Sequence, residues 1–311
     1  MPRFGKNKSM GVQAKAVLKK YLDLSSRHEE KQEQSIKGSK STGKIHGIRT
    51  YDKYTESLKK AGEWLQRNHD LNHLDQVTTD QATQYLIMRR ITGISQKQLD
   101  TDRVALQFLI KEQKIERILS LVKPSKSSRR YTQEQIEIII ECQTSKNSLA
   151  TRIASEAGLR AHELLTIRRT NEMKPSLHRV WNSERFTGRV KGVLYVVIGK
   201  GGLKREVMLS NQTAKLLETQ RLSEPKNVTD RGVYYQQYYD ISGGNKWSKS
   251  FGDASKRELG WSKGAHGLRH TYVQERMREL QDIGKEYMAA RNIVSQELGH
   301  FRGDVIETYL R

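Results

Sequence analysis

Four short strings in the C-terminal half of the 311-residue chain carry residue types suited to phosphate chemistry. EAGLRAHELL holds Arg160 with Glu163 one helical turn on, and VVIGKGGLKREVML sets Lys200 among glycines. HGLRHTYVQERM places His266 and Arg269 three residues apart, and ELGHFRGDVIETYLR puts Tyr309 nine residues after His300. Attack on a phosphodiester requires a nucleophile, cations against the non-bridging oxygens and an acid for the leaving 5′ oxygen, because charge builds at each of these places in the transition state. Arginine suits the phosphate because its planar fork donates two parallel hydrogen bonds and stays charged at any working pH. A lysine at a glycine-flanked tip is a mobile cation able to donate a proton. Tyr309 offers the nucleophile, and Glu163 can orient a neighbouring cation.

Each string is weak by itself. An arginine and a glutamate three apart on a helix are more often a surface ion pair, and a lysine between glycines is ordinary turn chemistry. Lys204 is a rival to Lys200 for the acid role, and Arg205 follows it as a further DNA-binding candidate. His270 adjoins Arg269 but is expected to point away from the phosphate. Tyr272 and Tyr287 lie in expected helices upstream of His300, where aromatic residues are usually core, so Tyr309 is the preferred nucleophile.

The elements that must position these residues are mostly helical. Tyr54, Leu58, Ala61 and Leu65 share one face, Ala82, Tyr85 and Leu86 open a second helix, and a third is expected over 96–111. Ser95 with Gln98 three residues on reads as its capping box. Lys123 to Arg130 combines a proline, serines and four positive charges, and is taken as an interdomain linker over 123–130. Beyond it, helices are expected at 132–143, 147–157, 161–169, 211–221, 245–258, 267–280 and 285–298. Val193 to Ile198 and Arg205 to Leu209, joined through Gly199, Gly201 and Gly202, form one expected β-hairpin. The expected fold class is therefore mainly α with a small β-sheet, α+β, in two domains. Residues 46–122 form a helical domain and 131–311 a mixed one. The stretch from Leu222 to Trp261, with Tyr234, Tyr235, Tyr238 and Tyr239, is read as packing or DNA-facing surface.

The balance of 56 Lys and Arg against 35 Asp and Glu gives a net charge of +21 and implies a polyanionic partner. Because the cations are spread along the chain rather than gathered on one amphipathic helix, nucleic acid fits better than a membrane surface. Residues 1–45 read as a basic N-terminal arm, with a short helix expected over 12–24. From Met1 to Lys44 the chain has 11 Lys or Arg against 4 Asp or Glu. One cysteine, Cys142, expected to be buried, points to a reducing compartment. With no signal-like segment and no long apolar run, a soluble, cytoplasmic protein is expected. There is no Walker-type loop and no two-metal carboxylate cluster, so no metal and no cofactor is expected.

Taken together, the ordered set of Arg160, Lys200, the His266 and Arg269 pair, His300 and Tyr309 resembles the signature of the tyrosine recombinases and phage-type integrases. The likeness is strongest from about Thr132 to Leu310. The resemblance implies that Arg160 and Arg269 bind the scissile phosphate, Lys200 acts as general acid, His266 and His300 position phosphate and assist proton transfer, Tyr309 attacks, and Glu163 is the supporting carboxylate. It implies a site-specific DNA strand transferase working through a 3′-phosphotyrosyl link as a tetramer on double-stranded DNA, with an accessory directionality factor as a further partner. The helical domain resembles the family's core-binding domain, with Lys59, Lys60, Arg89 and Arg90 as phosphate contacts. The alternatives are a type IB topoisomerase or telomere-resolvase-like enzyme, and a non-catalytic DNA-binding regulator on the same fold. Many family members continue past the tyrosine into a tail that docks on a neighbouring subunit. Here the sequence runs two residues past Tyr309, so tail exchange is not carried over.

Overall fold

A computed structural model describes residues 8–23, 42–111, 113–123, 127–189 and 191–311. Residues 1–7 and 24–41 of the expected arm, and 124–126 of the expected linker, lie outside the described residues. The chain divides into two compact units, Met1–Ser125 and Lys126–Arg311.

The first unit holds helices α1 (Met10–Lys19), α2 (Ile48–His69), α3 (Thr79–Ile91) and α4 (Gln96–Gln107). Leu58, Ala61 and Leu65 of α2 recur at three- and four-residue steps and bury against Met10, Ala14 and Leu18 of α1 and Leu99 and Leu106 of α4. The N-terminal helix stops at Lys19 rather than Leu24. Ser95 makes no side-chain cap. Gln98 instead donates to Asp102 (2.8 Å), a buried carboxylate that also accepts from Ser57 (2.7 Å) and Arg89 (3.2 Å). A reciprocal capping box forms at Thr78 and Gln81.

The second unit runs α5 (Gln133–Glu141), α6 (Ser145–Ala157), a 3-10 turn (Glu163–Thr166), β1 (Arg168–Arg169), β2 (Gly192–Ile198), β3 (Lys204–Ser210), α7 (Asn211–Thr219), β4 (Arg221–Asp230), β5 (Val233–Tyr239), α8 (Gly244–Leu259), α9 (His266–Asp282), α10 (Tyr287–Glu297) and a second 3-10 turn (Gly303–Thr308). β2 and β3 pair antiparallel from Gly192↔Ser210 to Ile198↔Lys204, and β1 adds to the outer edge of β2. One core cluster gathers Ile136 and Ile140 of α5, Ile153 of α6, Val197, Val207, Trp247, Phe251 and Leu268. A second joins Tyr272, Val273, Ile293, Val294, Leu298, Ile306 and Tyr309, so the nucleophile candidate is itself part of a packed layer.

The helix expected over 161–169 does not form. α6 closes on a left-handed Gly158, and the chain then makes a turn held by the Glu163 carboxylate before entering β1. A second hairpin, β4 with β5, occupies the stretch that sequence left unassigned. Tyr239 is buried there, its hydroxyl donating to Glu218, whereas Tyr234 stands 83% exposed near the turn. Cys142, expected inside, is a half-buried residue at the C-terminal cap of α5. No described helix is long and apolar enough to cross a membrane.

Candidate active site

Gly158 creates the entry to the site. Its φ of +58° suits glycine, and a Cβ there would lie 2.8 Å from the Tyr272 ring, so a side chain is excluded by both conformation and space. The turn brings Arg160 back over Glu163. The Arg160 amide donates to Glu163 Oε2 (2.9 Å) and its Nη1 to Oε1 (2.7 Å). Glu163 is wholly buried and also accepts from Arg205 Nη2 at 2.8 Å. Burial alone would raise the Glu163 pKa, but the charges of Arg205, Arg160 and Arg269 overcome it and hold the carboxyl well below its usual range.

Arg205 corrects an expectation. As a DNA contact it would have to reach a phosphate, yet it is 1% exposed and points inward, bonded to Glu163 and to the Glu297 carbonyl. It lies in phase with buried Val207 and Leu209 on β3, and that alternation was the signal in the sequence that it faces the core. Lys204, one residue before it, is exposed.

The first turn of α9 supplies the other side. Arg269 is wholly buried: Nη1 donates to the Gly158 carbonyl (2.6 Å), Nη2 to the Leu298 carbonyl (2.7 Å) and Nε to the Tyr309 hydroxyl (3.3 Å). Burial and then the neighbouring Arg160 lower its pKa to about 10, opposed by Glu163, so it stays charged at neutral pH. His300 sits between the two arginines, its Nε2 3.3 Å from Arg160 Nη2 and 3.4 Å from Arg269 Nη2. Since guanidinium nitrogens only donate, Nε2 accepts and a neutral His300 carries its proton on Nδ1. Partial burial, then Arg269 and Arg160, push the His300 pKa down to about 4. The left-handed Gly299 (φ +74°) turns the chain out of α10 to deliver this ring.

The His266 ring lies 5.7 Å from that of Tyr309, and its pKa is also lowered to about 4, by surrounding protein first and the Arg269 charge second, although one edge remains exposed. His270, expected to point elsewhere, packs even closer to Tyr309, at 4.9 Å between rings. It lies one helical turn from His266, and the Tyr309 ring leans against both imidazoles. Tyr272 donates to buried Glu297 and Tyr287 to Glu307, so each of these hydroxyls is engaged with a glutamate rather than with the arginine cluster.

Arg160, Glu163, His266, Arg269, His300 and Tyr309 therefore meet. Lys200 does not join them directly. It is exposed in the Lys200–Gly202 turn of the β2–β3 hairpin, and no hydrogen bond or ion pair links it to the cluster among the described residues. Its neighbour Gly199 abuts the site, since a Cβ there would lie 3.2 Å from Glu163 Oε1 and 3.9 Å from Arg160 Nη1. Lys200 thus stands at the rim on a tip one residue from the buried carboxylate.

The candidates of the first unit fare unevenly. Arg89 donates Nε to buried Asp102 (3.2 Å) and stays partly exposed, so it has a structural task beside the expected phosphate contact. Lys59 and Lys60 form surface pairs with Glu63 (3.9 Å) and Glu56 (3.4 Å), weak enough to yield to a phosphate, and Arg90 is half-buried.

No family model matches the chain, and no curated protein sequence matches it. Solved structures do. XerH site-specific recombinase bound to difH substrate aligns over 99% of this chain and 94% of its own, with a TM-score of 0.56 and 16% identity. The Tn1549 transposon integrase in complex with transposon right end DNA aligns over 91% and 94% (TM-score 0.52, 15% identity). A lambda integrase tetramer bound to a Holliday junction aligns over 91% and 76% (TM-score 0.53, 14% identity). At these identities the likeness concerns architecture, and it extends across both units: the chain has the fold of the tyrosine recombinases and integrases.

Proposed function

We propose that the chain is a site-specific DNA recombinase or integrase that cleaves and rejoins strands through Tyr309. The observation that carries this reading is the Tyr309 hydroxyl resting on Arg269 Nε while His300 bridges Arg269 and Arg160. A nucleophile and two guanidinium groups within one hydrogen-bonded cluster suit attack on a phosphodiester. In the proposed step Arg160 and Arg269 hold the non-bridging oxygens, Arg269 through the edge that the Tyr309 hydroxyl and His300 cover before DNA binds, and Glu163 fixes Arg160. The Tyr309 oxygen bonds to phosphorus, the bond to the 5′ oxygen breaks, the phenol proton passes to neutral His266, and Lys200 swings in to protonate the leaving oxygen. The reverse attack by a 5′-hydroxyl restores the diester, so no external energy source is consumed.

Of the solved structures that share the fold, the Tn1549 transposon integrase is in complex with transposon right end DNA and the lambda integrase is a tetramer bound to a Holliday junction. By that likeness we assign this chain double-stranded DNA as substrate, a tetramer as the working assembly, the first unit a DNA-holding role, the second the chemistry, and the cytoplasm as its place of action. An accessory directionality factor fits the same reading. The test uses a nicked duplex drawn from a random-sequence pool by binding to the Tyr309→Phe chain. Cleavage next to the nick releases a short fragment and traps the protein on DNA as a denaturant-stable adduct. Adduct with the wild-type chain and none with Tyr309→Phe is the expected result; adduct persisting in Tyr309→Phe would remove Tyr309 from its role.

A further inference from the structure

Between β1 and β2 the chain makes a long excursion in which Leu177, His178, Arg179 and Val180 are all exposed. Leu177 and Val180 are 92% and 91% exposed, more than any other large apolar side chain among the described residues. Such exposure in a slack loop would mean little, but this turn stands on a braced base. Ser176 exchanges hydrogen bonds with Lys204, its amide donating to the Lys204 carbonyl and its hydroxyl accepting from the Lys204 amide, each at 3.0 Å. The Trp181 indole donates back to the Ser176 carbonyl (3.0 Å), closing the turn, and the Asn182 amide is held by Gln296 (2.6 Å). The structure spends backbone order to hold two apolar side chains in water.

Location says what they face. The Trp181 ring packs 5.0 Å from Phe301, and the Arg179 guanidinium lies 4.9 Å from the same ring. Phe301 follows His300, and Lys204 belongs to the hairpin that carries Lys200, so the turn is tied at its base to the segments that bear both candidate catalytic residues. Its exposed charges are Lys174, Arg179 and Lys204, whereas the nearest acids along the excursion, Glu172 and Glu184, are paired with Arg221 and Lys285. An uncompensated cationic rim with an apolar point suits a polyanion that also offers stacked apolar faces, rather than a protein surface.

We propose that Leu177 and Val180 form a wedge that enters a groove of duplex DNA beside the cleavage point and loosens the stacking of a base step, with Arg179 holding the adjoining phosphate. This rests on the reading of the chain as a DNA strand transferase and adds a deformation-sensing contact to it: steps that unstack easily would be preferred there, without any base-edge hydrogen bond.

The probe is a pool-selected duplex carrying 2-aminopurine at successive positions, whose fluorescence rises where stacking is lost. With the wild-type chain, emission should rise at one step close to the cleavage point. Leu177→Ser/Val180→Ser should lose that rise while keeping its thermal unfolding curve. Arg179→Gln should lower the salt dependence of binding by about one phosphate contact. An identical emission pattern in wild type and double variant would overturn the wedge, as would a double variant whose only loss is self-association, which would assign the turn to a second copy of the chain. If the wild-type chain forms no adduct, the strand-transfer reading fails, and the emission comparison still judges the wedge on its own.

Discussion

Replacing Glu163 by leucine tests the buried charge arrangement that supports the whole site. Glu163 accepts from the Arg160 amide, from Arg160 Nη1 and from Arg205 Nη2 at 2.7–2.9 Å. Arg160 retains some exposure and can turn to water, but Arg205 is 1% exposed and its Nε already lacks a partner. The substitution therefore strands a buried cation, which costs about 3–5 kcal/mol. For a domain of this size each kcal/mol lowers Tm by about 2–4 °C, so a fall of roughly 10 °C is expected. Arg205→Leu in the same background removes the stranded charge and should recover most of the loss, leaving about 1–2 kcal/mol for the unpaired Arg160 amide. Strand cleavage should stay lost in both variants, because Arg160 no longer has its anchor. The assay is a double-mutant cycle by urea unfolding, run beside adduct formation on nicked duplex. A single variant within about 1 kcal/mol of wild type would mean that Arg205 finds water readily. A double variant as unstable as the single would trace the loss to the turn rather than to the charge.

Tyr309→Phe should bind duplex DNA with nearly unchanged affinity while forming no adduct, since one hydroxyl adds little to binding made of many phosphate contacts; gel-shift titration measures the first and denaturing electrophoresis the second. For His266 and His300 the folded pKa, about 4, lies below the ordinary 6.5, so the unfolded chain takes up protons first. Their contribution is complete above about 6.5 and is lost as pH falls toward 4; the slope of stability against pH should shrink in His300→Asn, measured by urea unfolding. Inorganic phosphate bound between Arg160 and Arg269 should raise the His300 pKa, and an NMR titration of that imidazole unchanged by phosphate would refute an anion site there. Gly158→Ala should destabilise the second unit by about 1–3 kcal/mol, as an L residue in a left-handed conformation facing the Tyr272 ring, measured by thermal unfolding.

The helices of both units were legible because their apolar residues recur at helical spacing over many residues, as at Leu58, Ala61 and Leu65. β2 and β3 were legible from a β-branched run closed by glycines, and residue type and order anticipated the meeting of Arg160, His266, Arg269, His300 and Tyr309 but not the separate place of Lys200. β4 was not, because a strand that faces water, RLSEPKNVTD, carries no alternation for a reader to detect. The helix drawn through 161–169 failed because a buried carboxylate three residues from Arg160 organises a turn that local propensity does not encode. What the sequence by itself determined was the inventory of chemical groups and the elements that bear them. Only the tertiary structure decided that Arg205 turns inward to neutralise Glu163, that His270 packs on Tyr309, and that Lys200 waits at the rim. Those outcomes depend on contacts between residues far apart in the chain, where burial sets the strength of each charge and no local pattern records the partner.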